Sequence, residues 1–432
     1  MKSIWYEDCF FESFEPLCKN IKTDVLVIGG GITGLLTSYF LKKCGVDCVL
    51  VEKDRICGKT TGNTTAKITF QHGLIYDKLK SSGGIETAKG YLNANRSAFA
   101  EFEKLCSKID CDFEYKDNYV YSVDDSKKIE KEMSALQKIG YNARLCEKTT
   151  LPFDIAGAVC FPKQAQFHPL KFLSHIASGL NIYENTFVRE LKDNTATTDF
   201  GKIKAEKIIV ATHFPFINKH GSYYLKLYQH RSYVVALENA QNVNGMYVDE
   251  NKKGFSFRNY KNLLILGGGA HRTGHKGGNW NELCEFAKEK YPLSSVKYRW
   301  AAQDCMSLDN MPYIGRYSSR TEDLYTASGF NKWGMTGSML SAMLLSDIVT
   351  GKKNKYEELF SPSRSIMKPQ LLVNGFEATK NLLTPFGRRC PHLGCALKWN
   401  STEHSWDCAC HGSRFSADGK VIENPANGDL TK

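Results

Sequence analysis

The chain predicts a mixed α/β architecture in three parts: a Rossmann-like dinucleotide-binding domain, an α+β domain interleaved with it, and a small module carrying cysteines and histidines. Three observations predict it. The run DVLVI at 24–28 leads straight into Gly29-Gly30-Gly31-Ile32-Thr33-Gly34. Aromatic-rich strand candidates, FEYKDNYVYSV and YLKLYQHRSYVVAL, lie between stretches of that first kind. Near the C-terminal end stand two compact loops, CPHLGC and CACHGS.

DVLVI is apolar and β-branched, as a buried parallel strand requires. The segment LLTSYFLKKCG after the glycines has helical apolar spacing and closes on Gly45, and DCVLVE reads as a second strand ending at Glu52. This is a full βαβ context. Gly29 permits the tight turn, Gly31 lets a pyrophosphate approach the backbone at the helix N-terminus, Gly34 allows close packing, and Glu52 is placed for ribose hydroxyls. The fingerprint serves FAD and NAD alike.

Downstream stretches separate the two. GKTTGNTTAK at 58–67, the section from CFPKQAQFHPLKFL through NTFVREL to IIVATH at 160–213, DNMPYIG at 309–315 and YTASGFNKWGMTGSMLSAMLLSDIVTG at 325–351 occur in that order. Together they resemble the D-amino-acid oxidase family of flavoproteins over roughly residues 1–360. The resemblance implies FAD, held non-covalently. To Gly29, Gly31, Ile32, Thr33, Gly34 and Glu52 it adds Lys53 directly after Glu52, Thr60 and Thr65 in the loop under the flavin, and Val188 in NTFVREL. The final motif contributes Gly329, Gly334, Met335 and Thr336. Residues 1–358 are then the oxidoreductase, with cofactor segments 1–70, 160–216 and 309–355 and substrate segments 72–158 and 220–308. A second glycine cluster, LLILGGGAHRTG at 263–274, departs from GxGxxG spacing and reads as a sheet strand with a tight turn in the substrate domain.

In the C-terminal loops each contributes one Cys and one His as potential ligands: Cys390 with His392, and Cys408 with His411. Zinc fingers draw a Cys pair and a His pair from separate places. A [2Fe-2S] centre with thiolates on one iron and imidazoles on the other suits this split better. A plain zinc knuckle is the competing reading. The two loops resemble the Rieske signature, which implies a small all-β cluster module over 359–432 and a disulfide between Cys395 and Cys410. Phe415 stands where high-potential members of that family carry a tyrosine, so a lower reduction potential is expected. Between Arg364 and Cys390 there is too little chain for a complete Rieske fold. The module is therefore expected to lean on the flavin domain, burying Trp399 and Trp406 there.

At 432 residues, 42% hydrophobic and 24% charged, the chain has the balance of a globular protein with two or three domains. The formal charge of +11 comes from scattered Lys and Arg with no recognition motif, which excludes a nucleic-acid footprint. The first twenty residues are not a secretory signal, and MLSAMLLSDIV is too short to span a bilayer, so no integral membrane segment and a cytoplasmic location are expected. The cysteines outside the two loops have no ligand-like spacing and read as small buried residues.

A flavin and a [2Fe-2S] centre in one chain imply conversion of two-electron to one-electron transfer. The family resemblance implies oxidation of the C–N bond of a small amine or amino acid. Its electron acceptor is unknown, and a homodimer stays open. Arg258 and Arg231 are the candidates for a substrate carboxylate, Tyr233 for the amine surround, and His72 and Lys332 for the flavin face. Cys305 is expected to be an unreactive buried thiol. The alternative is an electron-transfer or redox-sensing flavo-iron-sulfur protein without an amine substrate.

Overall fold

The computed structural model describes residues 3–218, 220–251 and 254–430. Three sheets organise it. The first has eight strands, and the parallel strands Ile21–Ile28, Cys48–Val51 and Lys202–Val210 lie at its centre. Ile21–Ile28 is flanked on both sides, with Val25 opposite Lys207 in one neighbour and Cys48 in the other, which is why its second half is apolar and buried. Helix Ile32–Lys43 follows the glycine turn and packs on helix Gly334–Val349, where the Thr33 and Ser338 hydroxyls meet at 2.8 Å. Two distant stretches are thereby closed over one sheet end, the place where α/β folds bind ligands.

The second sheet has nine strands, ordered Ser295–Ser307, Leu227–Glu238, Leu263–Arg272, Ser256–Tyr260, Met246–Asp249, Glu114–Ser122, Gly157–Gln166 and Lys67–Ile68, with Arg144–Cys146 pairing beside Gly157–Gln166. The second glycine cluster is a strand in it, as read. The helix after it, Asn279–Lys290, buries Trp280, Leu283 and Ala287 but leads into an antiparallel strand, so no second βαβ unit exists there. The ends of two expected cofactor segments also lie in this sheet. Strand Gly157–Gln166 pairs along Glu114–Ser122 and takes Lys67–Ile68 on its other edge, because its Ala, Val and Phe side chains are buried in the second sheet's core.

The third sheet is a four-stranded antiparallel meander, Leu397–Asn400, Ser405–Cys408, Arg414–Ser416 and Val421–Glu423. Its own core is small: Cys390, Cys395, Leu397, Cys408, Cys410, Phe415 and Ala426. Trp399 and Trp406 do not dock it. They lie against each other at 5.1 Å, with Trp399 44% exposed. Among the described residues no helix is long and apolar enough to cross a membrane.

Candidate functional site

A cavity of about 1030 Å³ opens where the three sheets meet. Its walls include Gly29, Gly31, Ile32, Thr33, Glu52, Lys53, Thr60, Thr65, Val188, Gly334 and Met335. The remaining predicted contacts stand behind that wall. Gly34 packs so close that an added Cβ would lie 1.9 Å from the Gly29 carbonyl oxygen. Gly29, at φ +114, could not carry a Cβ without meeting the Ala211 carbonyl at 2.6 Å. Gly329 takes a left-handed φ of +73, and Thr336 donates to the Thr69 carbonyl at 2.9 Å. The bare backbone at the head of helix Ile32–Lys43 fits the close approach of a pyrophosphate. Beside it Glu52 accepts from the Gly30 N–H at 2.8 Å and the Asp54 N–H at 3.0 Å, which aims the carboxylate at the cavity.

Cations ring this space. Lys67 lies in an apolar strand at its floor, where burial, with the nearby Arg258 charge adding to it, pushes its pKa down to about 7. Lys332, in a left-handed conformation at φ 74, is lowered by desolvation against the opposing pull of Asp304. Asp304 in turn is raised by burial, with Lys332 and His213 drawing it back. The sequence reading missed Lys67, Asp304 and His213. The available signal was a single charge inside the apolar run TAKITF.

Around the second centre, Cys390 and Cys408 are buried free thiols on matching turns, in which Gly394 N–H donates to the Cys390 carbonyl and Gly412 N–H to the Cys408 carbonyl, each at 2.9 Å. The imidazoles of His392 and His411 are 4.9 Å apart, and the Nδ1 of each is buried without a hydrogen-bond partner. Burial holds both rings neutral, lowering His392 to about 4 and His411 to about 3. The Cys408 hydrogen bond and the His392 and Leu393 N–H groups bring Cys390 down to about 7, though burial opposes them. Two thiols and two open neutral imidazole nitrogens are the donor set of a [2Fe-2S] centre of mixed ligation. The Cys408 sulfur also lies within 4.8 Å of those of Cys395 and Cys410, but these two are joined in a disulfide.

Residues 24–348 match the family described as FAD dependent oxidoreductase. The chain belongs to the FAD dependent oxidoreductase family. Residues 363–432 of this FAD dependent oxidoreductase match the Rieske [2Fe-2S] domain, and it binds both FAD and a [2Fe-2S] cluster. It is 33% identical to YhfW of Bacillus subtilis (strain 168), named for a Rieske 2Fe-2S iron-sulfur protein, over 98% of this chain and 96% of that relative. Gamma-glutamylputrescine oxidoreductase of Escherichia coli (strain K12) is 22% identical over 80% of this chain and 88% of its own. Glycine oxidase from Geobacillus kaustophilus has the same fold, with a TM-score of 0.68 at 18% identity, over 80% of this chain and 99% of that one.

Of the five proposed substrate and flavin-face residues of this FAD dependent oxidoreductase, Tyr233, His72 and Lys332 line the cavity. Arg231 is not turned to a substrate. Its Nε donates to Glu403 at 2.8 Å and its Nη1 to Glu423 at 3.3 Å, both on the cluster module. Tyr233 borders the cavity, but its hydroxyl bonds Glu403 at 3.0 Å. Arg258 is fully buried, with Nη1 donating to the carbonyls of Thr65 at 2.9 Å and Ala66 at 2.6 Å, and burial lowers it to about 9. His72 does border the cavity, stacked on Trp333 at 4.9 Å, yet both ring nitrogens are engaged, Nδ1 with Tyr91 at 2.6 Å and Nε2 with Thr69 and Thr336. Burial drops its pKa to about 3, so it stands as a neutral brace between helices Ile75–Cys106 and Gly334–Val349. Lys332 lines the cavity with its charge set against that of Asp304.

The docking of the module is polar. Besides Arg231, Gln229 donates to the His411 carbonyl at 3.0 Å, Gln303 to that of Gly412 at 2.9 Å, and Arg272 to those of Ala409 and Cys410. Ile422, Glu423, Asn424, Ala426 and Asn427 of the module complete one wall of the same cavity.

Proposed function

We propose that the chain oxidises the C–N bond of a small amine or amino acid and passes the electrons from FAD to a Rieske cluster held by Cys390, His392, Cys408 and His411, and from there to an acceptor. One observation carries the reading. Ala211, Thr212 and His213 border the FAD cavity, and the next residue, Phe214, packs its ring 6.3 Å from both cluster histidines. Four consecutive residues thus bridge the two centres. The module grips them itself, since Asn424 donates to the Thr212 carbonyl at 2.6 Å and also to that of Phe214.

FAD supplies acceptance of a hydride and release of electrons one at a time, matched to a one-electron cluster. The residues of the chain bind and orient. With Arg231 and Arg258 committed elsewhere, the cations left for an anionic substrate group include Lys67 and Lys332 on the cavity wall. The names of the relatives, an amine oxidoreductase and a glycine oxidase, support an amine or amino-acid substrate. A cytoplasmic location and a homodimer belong to the same proposal.

Anaerobic rapid mixing with an amine and amino-acid panel tests it. Flavin bleaching should precede cluster reduction, at a rate for the second phase that does not change with protein concentration. Phe214→Ala should slow that phase and spare the first. If no panel member bleaches the flavin, the reading without an amine substrate replaces this one, and a second phase proportional to protein concentration would refute transfer within the chain.

A further inference from the structure

Helix Pro369–Leu383 is built inside out. Its buried residues are Asn374, Glu377 and Asn381. Asn374 accepts from Arg272 at 3.1 Å, Glu377 pairs with His275 at 3.2 Å, and the Asn381 carbonyl receives the Ala396 N–H at 3.0 Å. The polar face is therefore the docked one. The apolar face looks outward, with Leu372 78%, Phe376 69% and Leu383 77% exposed, and Phe386 just beyond the helix is 84% exposed. Leu393, in the loop between His392 and Cys395, is also exposed, its neighbour Gly394 lies beside Leu382 of the helix, and Met367 lies before the helix start. Contiguous apolar surface of this kind marks an interaction site.

The charges around it choose the occupant. From Ser365 to Lys398 the basic residues are Lys368, Lys380, Arg388, Arg389 and Lys398, whereas the acidic one is Glu377, which faces inward. Every exposed charge on this stretch is positive. A second copy across a two-fold axis would set this positive rim against itself. The protruding Phe and Leu side chains stand on a convex helix, so they suit a soft surface they can enter. An amphipathic helix with Phe and Leu on one side and Lys and Arg at its borders lies in the headgroup region of an anionic bilayer.

We propose that helix Pro369–Leu383, with Phe386 and Leu393, seats the protein on an anionic lipid surface, holding the cluster loop against it. The seat does not depend on which substrate is oxidised. Co-sedimentation of the holoprotein with phosphatidylglycerol/phosphatidylcholine vesicles tests this, with pure phosphatidylcholine vesicles as the uncharged arm. The wild type should pellet with the anionic vesicles and be released by added salt. Phe376→Ser with Leu383→Ser, and separately Lys368→Glu with Lys380→Glu, should each weaken partition by about tenfold or more. Phe376, Leu383 and Lys380 are exposed and Lys368 is half-buried, and both variant pairs should leave the cofactor absorbances unchanged. The proposal is overturned if the wild type stays in the supernatant with anionic vesicles, or if both variant pairs pellet as the wild type does. It is equally overturned if sedimentation equilibrium without lipid gives a dimer that Phe376→Ser with Leu383→Ser returns to monomer, since a second copy would then cover the face. If only an acidic protein partner, and no vesicle, is retained through these residues, the lipid assignment fails as well.

Discussion

Glu403→Gln should loosen the cluster module from the rest of the chain. The Glu403 side chain is 10% exposed and lies between Arg231, 7% exposed, and Arg414, 4% exposed. Burial pushes its carboxyl up, but the Arg231 hydrogen bond and the charges of Arg231 and Arg414 outweigh burial and hold it down at about 2. Holding a carboxyl there, instead of at its ordinary 4.5, is worth about 3 kcal/mol by linkage. Breaking a buried pair from one side costs a similar amount, about 3–5 kcal/mol, because the partner charge stays buried. A loss of about 3 kcal/mol corresponds to about a hundredfold rise in opening. Hydrogen exchange of the amides in Leu397–Asn400 and Ser405–Cys408 reads it, with Ile21–Ile28 as the internal reference. The folded-state pKa is depressed, so the contribution is complete above the unfolded value near 4.5 and is lost as pH falls through about 2; the wild type should therefore approach the variant on acidification. Unchanged exchange in the variant at neutral pH would refute the claim that this charge cluster docks the module.

Gly34→Ala should abolish flavin retention while iron stays, because the added Cβ has to displace the Gly29 carbonyl at 1.9 Å; the flavin-to-iron ratio of the purified protein reports it. FAD should leave the polypeptide on denaturation. Cys305 borders the cavity, but burial pushes its thiol up to about 12, so it is no nucleophile at neutral pH, and yellow fluorescence remaining with the denatured chain would show otherwise.

The parts legible from sequence are those whose geometry is local. The glycine turn, its helix and Glu52 lie within one βαβ unit, and each Cys/His pair sits in one turn, so spacing alone conveys the arrangement. The contacts of Arg231 and Arg258 were not legible because their partners are far away in the chain. Glu403 lies 172 residues beyond Arg231, and the acceptors of Arg258 are main-chain carbonyls that no side-chain pattern reveals. Trp399 and Trp406 illustrate a related failure. A small module was expected to dock by its large apolar groups, whereas glutamines, arginines and carboxylates do the docking, and their composition looks like ordinary surface.

The wall formed by Ile422–Asn424, Ala426 and Asn427 has a bearing on how the holoprotein is assembled. These residues follow every other cavity-lining residue in the chain, so during synthesis the pocket stands open until the module has emerged and closed over it. FAD has its widest entry before that moment. Afterwards its escape is gated by the same undocking that Glu403 resists.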